Sequence, residues 1–286
     1  MCKLNFENLE YVSEQSRISN MAGRWSLQGM TALVTGDLSA PNVCKELGNV
    51  IYTTVEEFAS LGATVYTCSR NQKDLDECLK SWKDKGYCVF GSTCDILQPS
   101  EREHLVQLVY KQFDGKLNIL VNNVARLITK SALDYDAQDF SDTVGTMLEA
   151  SFHLSQLAHP LLKASGNGSI VFISSCASLV YIPVHTIYAA SKGAINSLTS
   201  NLACEWANDN IRVNAIAPWA MRTSLTEAAK EEHGELLETM IQRTPQHRLA
   251  EPREISAAVA FFCFPAASFI TGQVICVDGG ATVYGL

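Results

Sequence analysis

Residues 169–192 contain the two segments that decide the fold, Ser169-Ile-Val-Phe-Ile-Ser-Ser175 and Tyr188-Ala-Ala-Ser-Lys192. The first is short, apolar and rich in β-branched residues, without the strict alternation of a strand that has one solvated face. It therefore predicts a strand covered on both faces. The second segment opens a stretch of helical periodicity that is rich in Ala and Ser. A buried strand followed by a helix is typical of a parallel sheet with crossover helices.

The same alternation recurs along the chain from residue 31 onward. Further strand-like runs lie at residues 31–36, 64–70, 88–95, 118–123, 211–218 and 272–280. Helix-like segments lie between them at residues 50–60, 71–85, 100–113, 137–163, 188–207 and 251–264. We therefore expect an α/β fold, a single-domain, Rossmann-type, doubly wound parallel sheet of seven strands with helices on both faces.

Two regions fall outside this alternation. Residues 1–20 have no apolar core and fit neither a signal nor a transit peptide, so we expect a disordered N-terminal extension before a single domain at residues 21–286. Residues 224–250 contain a charged helical stretch between the sixth and seventh strands. This interval predicts a substrate lid, and an ordinary surface helix with a long loop remains the alternative.

Composition argues against several classes of function. The formal net charge of −8 disfavours nucleic acid or an anionic membrane as a main partner. No apolar run approaches the length of about 18 residues that a membrane span needs. The ten cysteines are scattered without a C-x-x-C pattern, and the six histidines show no metal-ligand spacing. We therefore expect reduced thiols, no metal and a cytoplasmic location.

Tyr188 and Lys192 form the most informative pair in the chain. A spacing of four places the phenol and the ammonium on one face of a helix, where a Lys cation is expected to lower the Tyr pKa from about 10. Tyr188 would then act as an acid or base near neutral pH, while Ser175, at the end of its strand, holds a carbonyl oxygen. The alternative is an amphipathic surface pair without a catalytic role.

With Ser175 thirteen residues before Tyr188, and Lys192 four residues after it, the chain resembles the short-chain dehydrogenase/reductase family. Strings such as Arg24-Trp-Ser-Leu-Gln-Gly-Met and Ala203-Cys-Glu-Trp-Ala are similar to its tropinone-reductase-like branch in plants. The resemblance implies NADPH-dependent reduction of small cyclic or lipophilic ketones, with Ser175, Tyr188 and Lys192 as catalytic residues and Ser175 at the substrate. It also implies a homodimer or homotetramer.

The resemblance further implies a binding site for NADP(H). The expected cofactor-binding residues are Thr35, Gly36, Arg70, Asp95, Asn122, Tyr188, Lys192 and Thr223. Arg70 decides the coenzyme, because an acidic residue at the end of the second strand would bind the ribose 2′-hydroxyl, whereas an Arg can pair with a 2′-phosphate. A solvated Arg at a helix start is the alternative.

Several positions depart from the family pattern. The turn at residues 37–49 is about nine residues longer than the family's glycine-rich turn. Asp37 adds negative charge there and Pro41 lacks an N–H, whereas Lys45 and Gly48 can rebuild part of a phosphate cradle. Other departures are Met147 in place of a catalytic Asn, Ser178 in place of a Gly and Trp219 in place of a Gly. The rival hypothesis is thus a catalytically degenerate member that acts as a binding or oligomerisation subunit.

Overall fold

The computed structural model describes residues 23–36, 38, 49–223, 226 and 230–284. Its strands are β1 Thr31–Thr35, β2 Thr64–Ser69, β3 Val89–Thr93, β4 Ile119–Asn122, β5 Gly168–Ile173, β6 Ile211–Pro218 and β7 Val274–Val277. They form one sheet in the order β3-β2-β1-β4-β5-β6-β7, and all six pairings are parallel. The order reverses between β1 and β4, and open α/β sheets bind ligands beyond the carboxyl ends of strands at such a point. The expected seven-stranded parallel sheet is confirmed.

Helices cover both faces of the sheet in a single domain. They are α1 Val50–Ser60, α2 Gln72–Asp84, α3 Pro99–Gln112, α4 Ala137–Val144, α5 Ala150–Ser165, α6 Thr186–Glu205, α7 Lys230–Gln242 and α8 Pro252–Cys263. One core joins α1, α2 and α8 to the sheet, and a second joins α3, α5 and α6 to the opposite face. Among the described helices, none combines the length and the apolar character needed to cross a membrane.

The helix expected at residues 137–163 is divided by a π-helical turn at Gly145–Glu149. Within it the N–H of Ala150 donates to the carbonyl of the residue five positions earlier, whereas an α-helix uses the fourth. The Thr146 hydroxyl donates to the Asp142 carbonyl at 2.6 Å and so competes with the regular ladder. The expectation of one uninterrupted helix was therefore wrong.

The chain leaves the sheet after Met221 and returns beside it at Ala250. These two residues form an isolated parallel bridge. The indole N–H of Trp219 donates to the Thr244 hydroxyl at 3.0 Å, which ties the end of β6 to the residues after α7. These contacts join the two ends of the interval in which the sequence predicts a lid.

Other sequence expectations concern parts of the chain outside the described residues. These are the N-terminal extension at residues 1–20 and, in the long turn after β1, the positions of Asp37, Pro41, Lys45 and Gly48. The described chain resumes at Asn49, whose side chain accepts from the N–H of Tyr52 at 2.8 Å and so caps α1.

The state of the cysteines differs from the expectation at one position. Seven described cysteines are thiols outside any disulfide, but Cys78 is disulfide-bonded. The expectation of reduced thiols throughout was therefore wrong at Cys78. Spacing along a sequence gives no measure of the distance between two thiols after folding, and that distance decides whether they can form a bond.

Candidate active site

Ser175 lies at the carboxyl edge of the sheet, just after β5. Its backbone is extended, and the next residues form a single 3₁₀ turn at Cys176–Ser178. The Ser175 hydroxyl oxygen accepts a hydrogen bond from the N–H of Ala177 at 3.2 Å, which restrains its rotation. Strand end and turn together direct this hydroxyl toward α6.

Tyr188 lies in the first turn of α6 and faces Ser175. The Ser175 hydroxyl lies near the phenol and favours its ionisation, but burial opposes ionisation more strongly. The net effect raises the pKa of Tyr188 above its usual value. The expectation that Lys192 lowers this pKa is therefore not met in the described residues, and Tyr188 holds its proton at neutral pH.

Lys192 lies one helical turn further along α6 and is only 2% exposed. Its ammonium donates to the carbonyl of Ile173 at 2.6 Å and lies 5.6 Å from the centre of the Tyr188 ring. This placement is under the ring, which explains why Lys192 does not act directly on the Tyr188 hydroxyl. Burial lowers the pKa of Lys192 to about 8.

A chain of hydrogen bonds through Asn196 holds the backbone on both sides of Ser175. The Asn196 amide nitrogen donates to the Ser178 hydroxyl at 2.8 Å, and that hydroxyl donates to the Ser175 carbonyl at 2.6 Å. The Asn196 amide oxygen accepts from the Ser174 hydroxyl at 2.6 Å. Because Asn196 lies one turn after Lys192, the helix that carries the Tyr and the Lys also fixes the Ser.

A cavity of about 230 Å³ lies beyond the carboxyl ends of β1 to β4, where the strand order reverses. Its polar lining includes Arg70, Asp95, Arg126 and Thr146, and its apolar lining includes Ile96. This volume is below the roughly 300–1,000 Å³ of a whole ligand pocket. It therefore fits one end of a dinucleotide, such as the adenosine end.

Gly36 closes this cavity beside α1. A Cβ atom built on Gly36 would lie 1.9 Å from the Cδ1 atom of Ile51, so any side chain here would displace α1 or its Ile. The glycine thus permits the close approach of β1 and the following helix that dinucleotide sites need.

The other expected cofactor residues are held by protein contacts. The Thr35 hydroxyl is fully buried and donates to the Val121 carbonyl at 3.2 Å. The Asn122 amide donates to Ser155 at 3.2 Å, while its amide oxygen has no partner among the described residues. Thr223 exchanges hydrogen bonds with Thr226 beside the lid segment. No described contact brings these three residues to Tyr188.

The structure shows the contacts of three residues that depart from the family pattern. Met147 is 1% exposed and lies within the π-helical turn, so its thioether fills space without donating a hydrogen bond. Trp219 donates to Thr244 in the lid segment. Ser178 belongs to the hydrogen-bond chain that supports Ser175, so this departure reinforces the site.

Sequence reasoning missed two residues of the site. Arg126 lines the cavity together with Arg70, although it follows Asn122 by only four positions. Asn196 follows Lys192 by four residues, and this helical spacing was the available signal. Its partners on the strand side could not be found from spacing, because they depend on how α6 packs on β5.

Comparison with known proteins agrees with this geometry. A family model described as enoyl-(acyl carrier protein) reductase matches residues 50–282. A tropinone reductase homolog of Datura stramonium is 53% identical over 264 residues, which cover 92% of this chain and 95% of that protein. The chain belongs to the short-chain dehydrogenase/reductase family. A second relative in this family, a tropinone reductase homolog of Arabidopsis thaliana, is 53% identical over 262 residues, covering 92% and 96%.

Solved structures of short-chain dehydrogenases/reductases share the fold. A 7α-hydroxysteroid dehydrogenase in complex with NADH and 7-oxo glycochenodeoxycholic acid has a TM-score of 0.82 at 32% identity, with 91% and 96% of the chains covered. A gluconate 5-dehydrogenase of Burkholderia cenocepacia in complex with NADP and tartrate has a TM-score of 0.83 at 25% identity, with 93% and 100% covered. The family membership makes this chain an oxidoreductase that acts on a small molecule.

Proposed function

We propose that this chain is an NADPH-dependent reductase that converts small cyclic or lipophilic ketones into secondary alcohols. The observation that carries the proposal is the placement of the Ser175 hydroxyl near Tyr188, with the buried ammonium of Lys192 5.6 Å from the centre of the Tyr188 ring. Two of its relatives are named tropinone reductase homologs, and these names support both reduction as the direction of the reaction and a ketone as the substrate class.

Proton delivery is assigned to Tyr188. Because burial raises its pKa, the phenol is protonated at neutral pH and can donate to an oxygen that gains negative charge. Ser175 donates a second hydrogen bond to the same carbonyl oxygen and so fixes its position. A bound nicotinamide would supply the hydride for the carbonyl carbon, and the proton held by Tyr188 would go to the carbonyl oxygen to give the alcohol.

Lys192 is assigned to the nicotinamide ribose. An ammonium has three N–H donors, and among the described residues Lys192 uses one of them for the Ile173 carbonyl. The remaining donors can bind ribose hydroxyl groups, which would compensate for the burial of the charge. A bound cofactor would therefore raise the pKa of Lys192 from its value of about 8.

The choice of NADP(H) rests on the arginines of the cavity. β2 ends in Ser69, and Arg70 follows it at the cavity wall, where an acidic residue would favour NAD(H). Arg126 lines the same wall and pairs with Asp142 at 2.7 Å, which neutralises part of its charge. We assign Arg70 to the 2′-phosphate because it directly follows β2 and lines the cavity, at the position where an acidic residue would instead bind the ribose 2′-hydroxyl.

A fluorescence titration with NADPH and NADH tests this coenzyme assignment. Arg70→Ala should weaken NADPH by about ten- to a hundredfold and NADH by less than about threefold, since NADH has no 2′-phosphate. Arg126→Ala serves as the matched variant on the same wall and should weaken both coenzymes to a similar, smaller extent. Equal losses for both coenzymes in Arg70→Ala would contradict the assignment.

The catalytic assignment is tested with Tyr188→Phe. We expect turnover on a panel of cyclic ketones to fall by about a hundredfold or more, because the ring still packs but the proton donor is lost. NADPH affinity should stay within a few-fold. Tyr181→Phe is the matched control, since Tyr181 is 82% exposed in the loop that joins Ser175 to Tyr188. Near-normal turnover by Tyr188→Phe would exclude the proposed mechanism.

Met147 favours a second candidate function. The place of a polar residue that orients water is taken by a buried thioether, which supports a binding or oligomerisation subunit without turnover. Wild-type protein that binds NADPH but reduces no ketone in the panel would favour this candidate. Met147→Asn would then be expected to restore measurable reduction.

Three further properties belong to the same proposal. We propose that residues 224–250 act as a lid, supported by the bridge between Met221 and Ala250 that brings its ends together. We also propose a homodimer or homotetramer, as in the family that the sequence resembles. A cytoplasmic location is proposed as well; seven cysteines outside any disulfide support it, whereas the disulfide at Cys78 does not.

A further inference from the structure

Two cysteines and an aspartate converge beside the candidate active site. The Sγ atoms of Cys176 and Cys276 and a carboxylate oxygen of Asp278 all lie within 4.8 Å of one another. This is the one such group of three ligands that the described part of the chain contains. Sequence spacing gave no sign of it, because Cys176 follows β5 whereas the other two residues lie in and after β7.

The sheet explains why these residues meet. β6 lies between β5 and β7, and Cys276 pairs with Ala217 of β6. The Cys176 thiol reaches across and donates to the Ala217 carbonyl at 3.1 Å. Both thiols therefore lie at the same level of the carboxyl edge of the sheet, with their Sγ atoms within 4.8 Å of each other.

Asp278 is oriented toward this edge by its own loop. Its carboxylate accepts from the Gly280 N–H at 3.0 Å, from the Thr282 N–H at 2.8 Å and from the Thr282 hydroxyl at 2.6 Å. Carboxylates that ligate metals are typically held in this way by further hydrogen bonds. Oδ2 accepts two of these hydrogen bonds and Oδ1 accepts one, so Oδ1 keeps a lone pair that can bind a cation.

We propose that Cys176, Cys276 and Asp278 form a binding site for a thiophilic divalent cation such as Zn²⁺. Two sulfurs and one carboxylate oxygen are ligands that Zn²⁺ prefers, at about 2.3 Å and about 2.0–2.2 Å. Ligand atoms around one tetrahedral zinc are then roughly 3.3–3.8 Å apart. The longest distance among the three ligand atoms, at most 4.8 Å here, would therefore shorten by about 1 Å when the cation binds. The expectation of no metal site is thereby revised.

The chemistry of binding is a replacement of protons by the cation. Each thiol loses its proton to the solvent, two metal–sulfur bonds and one metal–oxygen bond form, and no electron is transferred. Two thiolates and one carboxylate carry three negative charges, which outweigh the two positive charges of the cation. Water can take the fourth position, as in sites with three protein ligands.

A route into the site is present. Asp278 lines a cavity of about 120 Å³ together with Trp219, Thr244 and Arg248. The positive charge of Arg248 would repel a cation, but its guanidinium is paired with Glu254 by two contacts of 2.7 Å. Cys276 is itself partly exposed.

The site is independent of the proposed reductase function, because none of its three ligands is assigned a part in hydride or proton transfer. Cys176 is nevertheless the neighbour of Ser175 along the chain. A bound cation would fasten the turn after Ser175 to β7 and thereby stiffen one wall of the candidate active site.

The test is a titration of the full-length, untagged chain with Cd²⁺ alone and with Zn²⁺ alone, after chelation and in the presence of a non-thiol reductant. Cd²⁺ is followed by its ultraviolet thiolate charge-transfer band, and Zn²⁺ by competition with Cd²⁺. We expect one tight equivalent per chain, and about tenfold or greater weakening with loss of about half the band in Cys276→Ala and in Cys176→Ala. Asp278→Asn should weaken binding but keep the band.

Controls distinguish this site from other thiols of the chain. Cys94→Ala removes one of a second buried pair, since Cys94 interacts with Cys68. Cys204→Ala removes an exposed thiol, and Cys78→Ala covers the disulfide that a reductant opens. All three controls should retain the tight equivalent.

Absence of a tight equivalent in the wild type would overturn the proposal. So would a tight equivalent that survives in Cys276→Ala or is lost in Cys94→Ala. Cys276 is only partly buried, so its Ala variant is expected to fold, which circular dichroism checks. If Cys176→Ala does not fold, Cys276→Ala alone decides.

Discussion

The proton of Tyr188 is governed by two opposing influences. Burial disfavours the phenolate, whereas the Ser175 hydroxyl favours it, and burial is the larger effect. A phenol that keeps its proton suits reduction, which consumes one proton for each ketone. The sequence identified Ser175, Tyr188 and Lys192, because spacing on a strand and a helix determines which residues can meet. It gave the wrong direction for the Tyr pKa, because the depth of burial depends on packing between distant segments.

Asn196 offers a test of how tightly Ser175 must be held. Asn196→Ala removes the contacts to Ser174 and Ser178, so Ser175 gains freedom relative to Tyr188. We expect kcat to fall by about ten- to a hundredfold, while NADPH affinity and KM stay within about threefold. Steady-state kinetics on any ketone that the wild type reduces measures this split.

The matched control is Asn201→Ala on the same helix. Asn201 is exposed, and its side chain binds only the Ser197 carbonyl, at 2.8 Å, among the described contacts. Its removal should leave kcat unchanged. A similar loss of kcat in both variants would show that Asn196 supports the helix in general and does not position Ser175.

The buried charge of Lys192 is expected to lower the free energy of unfolding at neutral pH. Its folded pKa of about 8 lies below the ordinary value of 10.5, so between these pH values the unfolded chain binds more protons than the folded chain. The contribution of Lys192 to stability therefore rises as pH increases through this window. At pH 7 the buried charge is fully present and unfavourable.

Lys192→Met should therefore stabilise the chain at pH 7 by about 1–3 kcal/mol, because it removes the buried charge and keeps most of the volume. The gain should shrink between about pH 8 and pH 10.5. Urea unfolding at both ends of this range measures the difference, with Lys111→Met on the exposed face of α3 as control. A loss of stability at pH 7 would show that the Ile173 contact outweighs the burial.

At the scale of elements, the sequence predicted every strand and most helices, and the errors lie at their ends. The strand expected at residues 272–280 is only Val274–Val277, because the Asp278 carboxylate binds the N–H groups of Gly280 and Thr282 and turns the chain. The periodicity of apolar residues indicates which face of an element is buried. It does not indicate where side-chain hydrogen bonds to the backbone end that element. The same limitation concealed the π-helical turn between α4 and α5.

The lid proposal leads to a prediction for Trp219. Trp219→Phe keeps an aromatic ring but removes the hydrogen bond to Thr244, which costs about 1 kcal/mol in the attachment of the segment. We expect cleavage within residues 224–250 by a low concentration of protease to become about threefold to tenfold faster. Trp25→Phe is the control, because Trp25 is exposed and packs on Phe261 and Phe264. Equal cleavage rates in both variants would argue against a role of Trp219 in holding the lid.

At the scale of the whole molecule, parallel topology was predictable because right-handed crossovers leave few alternatives. The homodimer or homotetramer is predicted only from the resemblance to the family. The structure contains an exposed surface on which this prediction can be tested. Phe140 of α4 and Phe152 of α5 are 54% and 38% exposed, which is unusual for aromatic side chains on a helix pair.

We expect light scattering to find a dimer or tetramer in the wild type, and a larger monomer fraction in Phe152→Glu. A buried carboxylate at a subunit interface is costly when it has no partner. Phe90→Glu, on a partly exposed residue of β3 far from this helix pair, is the control. A wild type that remains monomeric at micromolar concentration would contradict the proposed assembly.

The wide turn at Gly145–Glu149 also bears on how the length of this chain can change over evolutionary time. A π-helical turn contains one residue more than an α-helical turn but still makes a single turn about the helix axis. The side chains of α4 and α5 therefore keep the relative orientation that they would have in a regular helix without the extra residue. Loss of one residue there would leave Leu154 and Ala158 facing the sheet. The same loss inside α5 would rotate every later side chain by about 100°. Deletion of one codon in this turn can therefore leave the packing of both helices unchanged. The side chain that such a deletion would reorient is Met147.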